Sequence, residues 1–200
     1  TSSVEIYGEG SKTPMSESYA GYIDCNNARS GYNEAKRTCE ALCQSYRMQY
    51  GVDSVVVRLA RVFGADNKKD SKAMSQFMEK AVLGEDIILK SKGLQRYSFC
   101  YVADAASAII NVLINGKNGE SYNVADEDEN MTLGEYAEYI AGLSDRKVIM
   151  QIEDDKSVSK AMYALLDISK IKKIGWNPIY SVRDALNKTF LIYKDRNQSN

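Results

Sequence analysis

The sequence predicts an α/β fold built on parallel strands, and three observations carry that expectation. Residues 53–59 (DSVVVRL) form a short valine-rich run of the kind a parallel sheet buries on both faces. Residues 28–50, 73–83 and 102–115 repeat apolar side chains at helical spacing. Strand-like and helix-like segments alternate along the chain, as crossover connections between parallel strands require. With 200 residues, 44% of them hydrophobic and 26% charged, the chain has enough apolar material for a sizeable core.

Taken in order, residues 1–8 alternate as a strand that presents Ser3, Glu5 and Tyr7 on one face and ends at the turn Gly8-Glu9-Gly10. Residues 8–28, with Pro14 and Asn26-Asn27, form a loop long enough to wrap over a site, and its Glu9, Glu17 and Asp24 read as solvated. The helix at 28–50 buries Ala35, Cys39, Leu42, Cys43, Tyr46 and Tyr50 and stops at Gly51. After the strand at 53–59, residues 65–71 are charged, and a helix at 73–83 turns Met74, Phe77, Met78 and Ala81 inward. Residues 86–90 form a short strand before the turn Ser91-Lys92-Gly93. The helix at 102–115 starts near Asp104, an early acid favourable to the helix dipole, with Ala105, Ala106, Ile109, Ile110 and Leu113 inward. Residues 119–124 form a strand, Thr132 and Glu135 carry a capping-box signature, and the acidic run at 126–130 reads as a solvated turn without calcium-loop spacing. Residues 147–152 form another strand, 167–174 and 182–193 two helices around Trp176 and Pro178, and 194–200 a frayed polar tail.

Residues 29–37 (RSGYNEAKR) are where spacing and residue type converge on a chemistry. In a helix Tyr32 and Lys36 lie one turn apart on one face, and an ammonium so placed favours a phenolate over a phenol. The pair alone is a weak signal, because a chain with 14 tyrosines is expected to contain about one such pair by chance. The segment at 1–8 strengthens it. A hydroxyl, Ser3, and a carboxylate, Glu5, at the carboxyl end of a strand sit where an open α/β sheet places its ligand. The chain has no histidine, so a general acid or base must be Tyr, Lys, Asp, Glu or Cys. The four cysteines show no CxxC pairing, and Cys39 and Cys43, one turn apart, read as small core residues rather than metal ligands.

These segments resemble the extended short-chain dehydrogenase/reductases, the group holding nucleotide-sugar epimerases, dehydratases and decarboxylases. Their pattern places a Ser or Thr four residues before the Tyr of a Tyr-Gly turn and Tyr-x-x-x-Lys some twenty-odd residues later. Here those positions are Ser3, Tyr7-Gly8, Tyr32 and Lys36. The likeness continues through Val55-Val-Val-Arg58-Leu-Ala-Arg61-Val-Phe-Gly64, Phe99-Cys-Tyr-Val-Ala-Asp104, Gly119-Glu-Ser-Tyr-Asn-Val124 and the run from Asp167 to Trp176. It implies the C-terminal part of a Rossmann-like parallel sheet plus a smaller mixed α/β substrate-binding domain. Residues 1–63 and 97–117 would belong to the first and 64–96 with 118–200 to the second.

The resemblance also implies NAD or NADP as cofactor, a nucleotide sugar as substrate and a homodimer that uses the helix at 28–50. Tyr32 would be the base, helped by Lys36 and a cationic nicotinamide ring; bringing a phenol from about 10 to about 7 takes roughly 4 kcal/mol. Lys36 would hold the nicotinamide ribose, and Ser3 would hydrogen-bond the reacting oxygen. Glu5 would act next to the ketone, or else simply face water; Val4 beside it leans against a standard 4,6-dehydratase and leaves epimerase and decarboxylase open. Arg61 stands where the family usually has Asn, and reads either as a substrate contact or as a solvated arginine. The phosphate-gripping Arg of the family falls at Tyr97 here, with Arg96 one residue earlier, so Arg96 and Tyr97 are both candidates for substrate binding. A non-catalytic NAD(P)- or nucleotide-sugar-binding relative is the rival reading.

The family opens with a strand, a glycine-rich turn and a helix that carry the dinucleotide phosphates. Gly8-x-Gly10 leads into a polar loop and does not match, so most of the cofactor site is expected in a segment upstream of this chain, and the chain alone is expected to be inactive. A net charge of −1 argues against a nucleic-acid surface or a polybasic membrane patch, and no apolar run reaches membrane-span length. The expected setting is cytoplasmic.

Overall fold

The computed structural model describes residues 1–66, 72–126, 131–152 and 162–198. In chain order the elements are β1 (Ser2–Ser3), a 3-10 turn (Val4–Tyr7), α1 (Ser30–Tyr50), β2 (Val56–Leu59), β3 (Arg61–Phe63), α2 (Ala73–Val82), β4 (Ile87–Leu89), β5 (Arg96–Tyr97), β6 (Phe99–Tyr101), α3 (Val102–Asn115), β7 (Ser121–Val124), α4 (Leu133–Gly142), β8 (Val148–Met150), β9 (Tyr163–Ala164), α5 (Ser169–Lys172) and α6 (Val182–Gln198). The charged stretch at 65–71 and the turn expected at 126–130 lie largely outside the described residues, as do residues 199–200.

Every pairing between these strands is parallel: β1-β2-β7 in one sheet, then β3 with β6, β4 with β8 and β5 with β9. This is the expected α/β class. Ser3 stands beside Leu59 and Leu59 beside Val124, so three carboxyl ends meet at one edge. Through this pairing β7 shares a sheet with β1 and β2, although the expected division put residues from 118 onward in the other unit.

Alternation along β2 sends Val57 into a cluster with Ala105, Ala108 and Val112 of α3, and sends Arg58 the other way, to Glu40 of α1. A second cluster gathers Met74, Phe77, Met78 and Ala81 of α2 with Ile87, Tyr136, Ile140 and Leu186. Burial of each large side chain in it contributes about 1.5–3 kcal/mol, which fixes α2, α4 and α6 around one centre. The capping box of α4 forms as expected: Glu135 N–H donates to Thr132 Oγ1 at 3.2 Å, and Thr132 N–H donates to the Glu135 carboxylate at 2.6 Å.

Several expectations are corrected. Residues 1–8 are not one alternating strand. After Ser3 the chain tightens into a 3-10 turn that buries Val4, Ile6 and Tyr7 and leaves Glu5 half-exposed. Gly8 then takes φ +64°, and a Cβ there would fall 1.9 Å from the Tyr22 carbonyl oxygen. The expected buried stripe of α1 faces outward: Leu42, Tyr46 and Tyr50 are exposed, as are Ala35 and Cys39, while Cys43 is half-buried. The helix docks instead by a polar row, described below, so Cys39 and Cys43 are not core residues.

On α3, Ala105 is buried with Ala108 and Val112, whereas Ala106, Ile110 and Leu113 are exposed and Ile109 is half-buried. Asp104 is fully buried, and its carboxylate accepts the N–H groups of Ile179 (2.9 Å) and Tyr180 (3.2 Å), tying the segment before α6 to the start of α3. Glu17 is likewise engaged: its carboxylate accepts the Asn123 N–H at 2.8 Å. The tail expected to fray instead prolongs α6 to Gln198.

Tyr7 links these pieces. Its hydroxyl donates to Asn123 Oδ1 at 2.6 Å and accepts from Arg58 Nη1 at 2.9 Å. Burial raises the Tyr7 phenol above its ordinary value, outweighing the opposing pull of Arg58. The folded state therefore holds this proton more tightly than the unfolded chain. The resulting stability is fully present below about pH 10 and lost as pH rises through the folded value. Thermal melts between neutral and strongly alkaline pH are expected to show an alkaline decline that is shallower in Tyr7→Phe.

Candidate active site at the carboxyl edge of the sheet

The helix α1 is latched to the 3-10 turn by polar side chains at heptad spacing. Asn33 Nδ2 donates to the Glu5 carbonyl at 2.8 Å. Arg37 donates through Nε to the Ile6 carbonyl at 2.8 Å and through Nη2 to the Gly21 carbonyl at 2.5 Å, so one guanidinium holds the turn and the following loop together. Glu40 pairs with Arg58, and Gln44 Nε2 donates to the Gly119 carbonyl at 2.7 Å. Each such bond contributes about 1 kcal/mol net, but together they set the rotation of α1 about its axis.

That rotation puts Tyr32 at the surface, 54% exposed, beside Lys36, whose ammonium lies 5.9 Å from the centre of the Tyr32 ring. Lys36 Nζ also donates to the Thr1 carbonyl at 3.1 Å, reaching the start of β1. Ser3 Oγ accepts the Glu5 N–H at 3.2 Å, which leaves the Ser3 hydroxyl proton available for another acceptor. Tyr32 and Lys36 are thus carried by a helix fixed directly to the turn that carries Ser3 and Glu5.

Glu5 has a second partner. Its carboxylate takes Arg61 Nη2 at 3.1 Å, and the Arg61 guanidinium carbon lies 3.8 Å from the centre of the Tyr97 ring. Arg61 and Tyr97 are therefore together, joined to Glu5. Arg96 is not part of this group. Alternation on β5 turns it away from Tyr97, and its charge, with the Thr132 hydrogen bonds as the larger cause, holds the Glu135 carboxyl below the usual range at the start of α4.

Sequence reasoning missed Asn33, Arg37, Glu40, Arg58 and Asn123. The available signal was the row Asn33, Arg37, Glu40, Gln44 and Arg47, which has the same helical period as the apolar row. Among the described residues no group of three or more His, Cys, Asp or Glu could hold a metal ion, and no helix is long and apolar enough to cross a membrane.

Residues 1–125, which contain Ser3, Glu5, Tyr32, Lys36, Arg61 and Tyr97, match the family described as NAD dependent epimerase/dehydratase. The chain belongs to that family. It is 32% identical over 192 residues to UDP-glucuronic acid decarboxylase 3 of Arabidopsis thaliana, covering 93% of this chain and 54% of that protein. The chain spans about half the length of the curated relatives it matches. Among solved structures, the UDP-N-acetylglucosamine 4-epimerase of Methanobrevibacter ruminantium, in complex with UDP-N-acetylmuramic acid, superposes with a TM-score of 0.82 at 28% identity, over 98% of this chain and 62% of that one. The dTDP-glucose 4,6-dehydratase of Bacillus anthracis, in complex with NAD, superposes with a TM-score of 0.83 at 23% identity, over 98% and 61%, a likeness of fold.

The residues present fit the ribose end of a dinucleotide. Lys36 carries three N–H donors, of which the Thr1 carbonyl takes one, and the Tyr32 hydroxyl stands at the surface beside it.

Proposed function

We propose that the protein is a NAD-dependent nucleotide-sugar oxidoreductase of the epimerase/dehydratase type. Tyr32 takes the proton from a sugar hydroxyl while hydride leaves the same carbon. NAD supplies the hydride acceptor. Lys36 holds the nicotinamide ribose and keeps positive charge beside the phenol, and Ser3 donates its hydroxyl proton to the reacting oxygen. The latch from Asn33 and Arg37 to the turn at residues 4–7 is the observation that supports this reading, because it ties the base and the hydroxyl to one rigid frame.

The keto sugar formed in this way is the common intermediate, and Glu5 is the group beside it that decides the next step. A second reading, decarboxylation, draws support from the relatives named UDP-glucuronic acid decarboxylase and from the cation Arg61 at Glu5. Incubation of the intact protein, including any segment that precedes this chain, with NAD and UDP-glucose, UDP-glucuronic acid or dTDP-glucose, followed by product analysis, tests both. Turnover to an epimer or a dehydrated keto sugar supports the first reading and release of CO2 the second. Binding without any turnover would leave only a non-catalytic relative.

Two features of the organisation are part of the same proposal. The sheet with α1 and α3 forms a cofactor-side unit, and the second hydrophobic cluster centres a substrate-side unit. The exposed row Leu42, Tyr46 and Tyr50 on α1 packs against a second copy of the chain in a homodimer, which sedimentation at rising concentration would read directly. Free thiols at Cys25, Cys39 and Cys43 suit a reducing, cytoplasmic setting.

A further inference from the structure

We infer that Arg61 is the residue that reads negative charge on the sugar: it binds a carboxylate carried by the substrate's sugar ring and so selects uronic-acid nucleotide sugars over neutral ones. This inference rests on the proposed oxidoreductase reading and adds to it a substrate class and a specificity residue.

The Arg61 guanidinium is held by an aromatic face. It lies against the Tyr97 ring at 3.8 Å, an arrangement that fixes its plane and leaves its edge, where the N–H groups point, for hydrogen bonding. That edge is only partly used. Nη2 reaches a single oxygen of Glu5, at 3.1 Å, whereas a full fork would engage both oxygens of a carboxylate. Nη1 is buried and has no hydrogen-bond partner among the described residues. A buried donor without a partner is costly, and a ligand carboxylate that engages the edge removes that cost.

The position says which part of a substrate is read. Glu5 is bound through its carbonyl to Asn33, the residue next to Tyr32, and lies two residues beyond Ser3. Arg61 is thus joined through Glu5 to the turn on which the helix of Tyr32 and Lys36 is latched, and in the proposed reading the anion within its reach is one on the sugar ring. The existing contact with Glu5 is adjustable: the two side chains are 28% and 39% exposed, so water screens the pair and its loss is mild. Arg61 can take a second carboxylate without abandoning a deeply buried partner.

The test is binding measured by titration calorimetry on the intact protein, with any segment that precedes this chain and with NAD, using UDP-glucuronic acid and UDP-glucose, which share the diphosphate and differ in the sugar carboxylate. The wild-type protein is expected to prefer UDP-glucuronic acid. Arg61→Gln is expected to weaken UDP-glucuronic acid by roughly 10- to 100-fold, the size of one charge-assisted hydrogen bond, while UDP-glucose changes by less than about 3-fold. Arg61→Lys, which keeps charge and stem but loses the flat edge, is expected to fall between, and serves if the Gln variant does not fold. Equal weakening of both ligands would assign Arg61 to the diphosphate, and absence of any wild-type preference would remove the charge reading; either result overturns the inference. Turnover of UDP-glucose, with both ligands bound equally, would leave the oxidoreductase reading standing while this one fails.

Discussion

Tyr32→Phe is expected to lower turnover by roughly 100- to 10,000-fold, the range lost when a positioned acid–base group is removed. The substitution deletes one oxygen from a ring that is 54% exposed, so the melting temperature should stay close to that of the wild-type protein. The separation of the two effects is the point of the experiment, because a destabilised variant would lose activity for uninteresting reasons. Lys36→Met is expected to act in the same direction. It removes the cation 5.9 Å from the Tyr32 ring and the bond to the Thr1 carbonyl, while its aliphatic stem is retained. Steady-state kinetics alongside thermal melts check both variants.

Arg58→Ala is expected to have the largest effect on stability. The Arg58 and Glu40 side chains are only 12% and 15% exposed, and the guanidinium meets Glu40 at 2.7, 3.1 and 3.3 Å, the Tyr7 hydroxyl at 2.9 Å and the Glu17 carbonyl at 2.7 Å. Removing Arg58 strands the nearly buried Glu40 carboxylate, for which about 3–5 kcal/mol is typical, while the Tyr7 hydroxyl keeps its bond to Asn123. Equilibrium urea unfolding reads this as a lower midpoint. The paired variant Arg58→Met with Glu40→Leu should recover much of the loss, since no charge is then left buried alone. If the single and paired variants were equally unstable, the cost would lie in packing and not in the stranded charge. The network also ends on Tyr7, the last residue of the turn that carries Glu5, so Arg58→Ala is expected to reduce activity even below its unfolding transition.

The parts of the fold that were legible in the sequence are those in which hydrophobic burial decides the local structure. The stripe Met74, Phe77, Met78 and Ala81 faces a core, the valine-rich run around Val56 and Val57 is a buried parallel strand, and Thr132 with Glu135 forms its capping box. The apolar row of α1 misled because hydrophobic period does not say which of two faces is covered. Here five polar side chains and carbonyls of the turn, loop and sheet satisfy one another, and that satisfaction outweighs burying Leu42 and Tyr46. Asp104 misled for the opposite reason. Its partners, the N–H groups of Ile179 and Tyr180, lie far along the chain, and a carboxylate at a helix start looks the same whether it meets water or a distant backbone.

The same division runs through the candidate site. The spacing of Tyr32 and Lys36 is local, so it was visible, and the helix preserves it. The joining of Glu5, Arg61 and Tyr97 depends on parallel pairing of β3 with β6 and on the tight turn after Ser3, neither of which a single sequence reveals. Arg96 and Tyr97 looked interchangeable as neighbours in a loop. Strand alternation separates them, and only Tyr97 reaches Arg61.

The central claim is that Tyr32 removes the proton whose departure allows hydride to leave the sugar. Rapid mixing of the protein and NAD with a nucleotide sugar that it turns over, followed by the absorbance of reduced nicotinamide, tests it most directly. The wild-type protein should form the reduced band transiently within a turnover, and Tyr32→Phe should bind the same ligands yet form it at least about 100-fold more slowly. A band that rises in Tyr32→Phe as fast as in the wild-type protein would contradict the account.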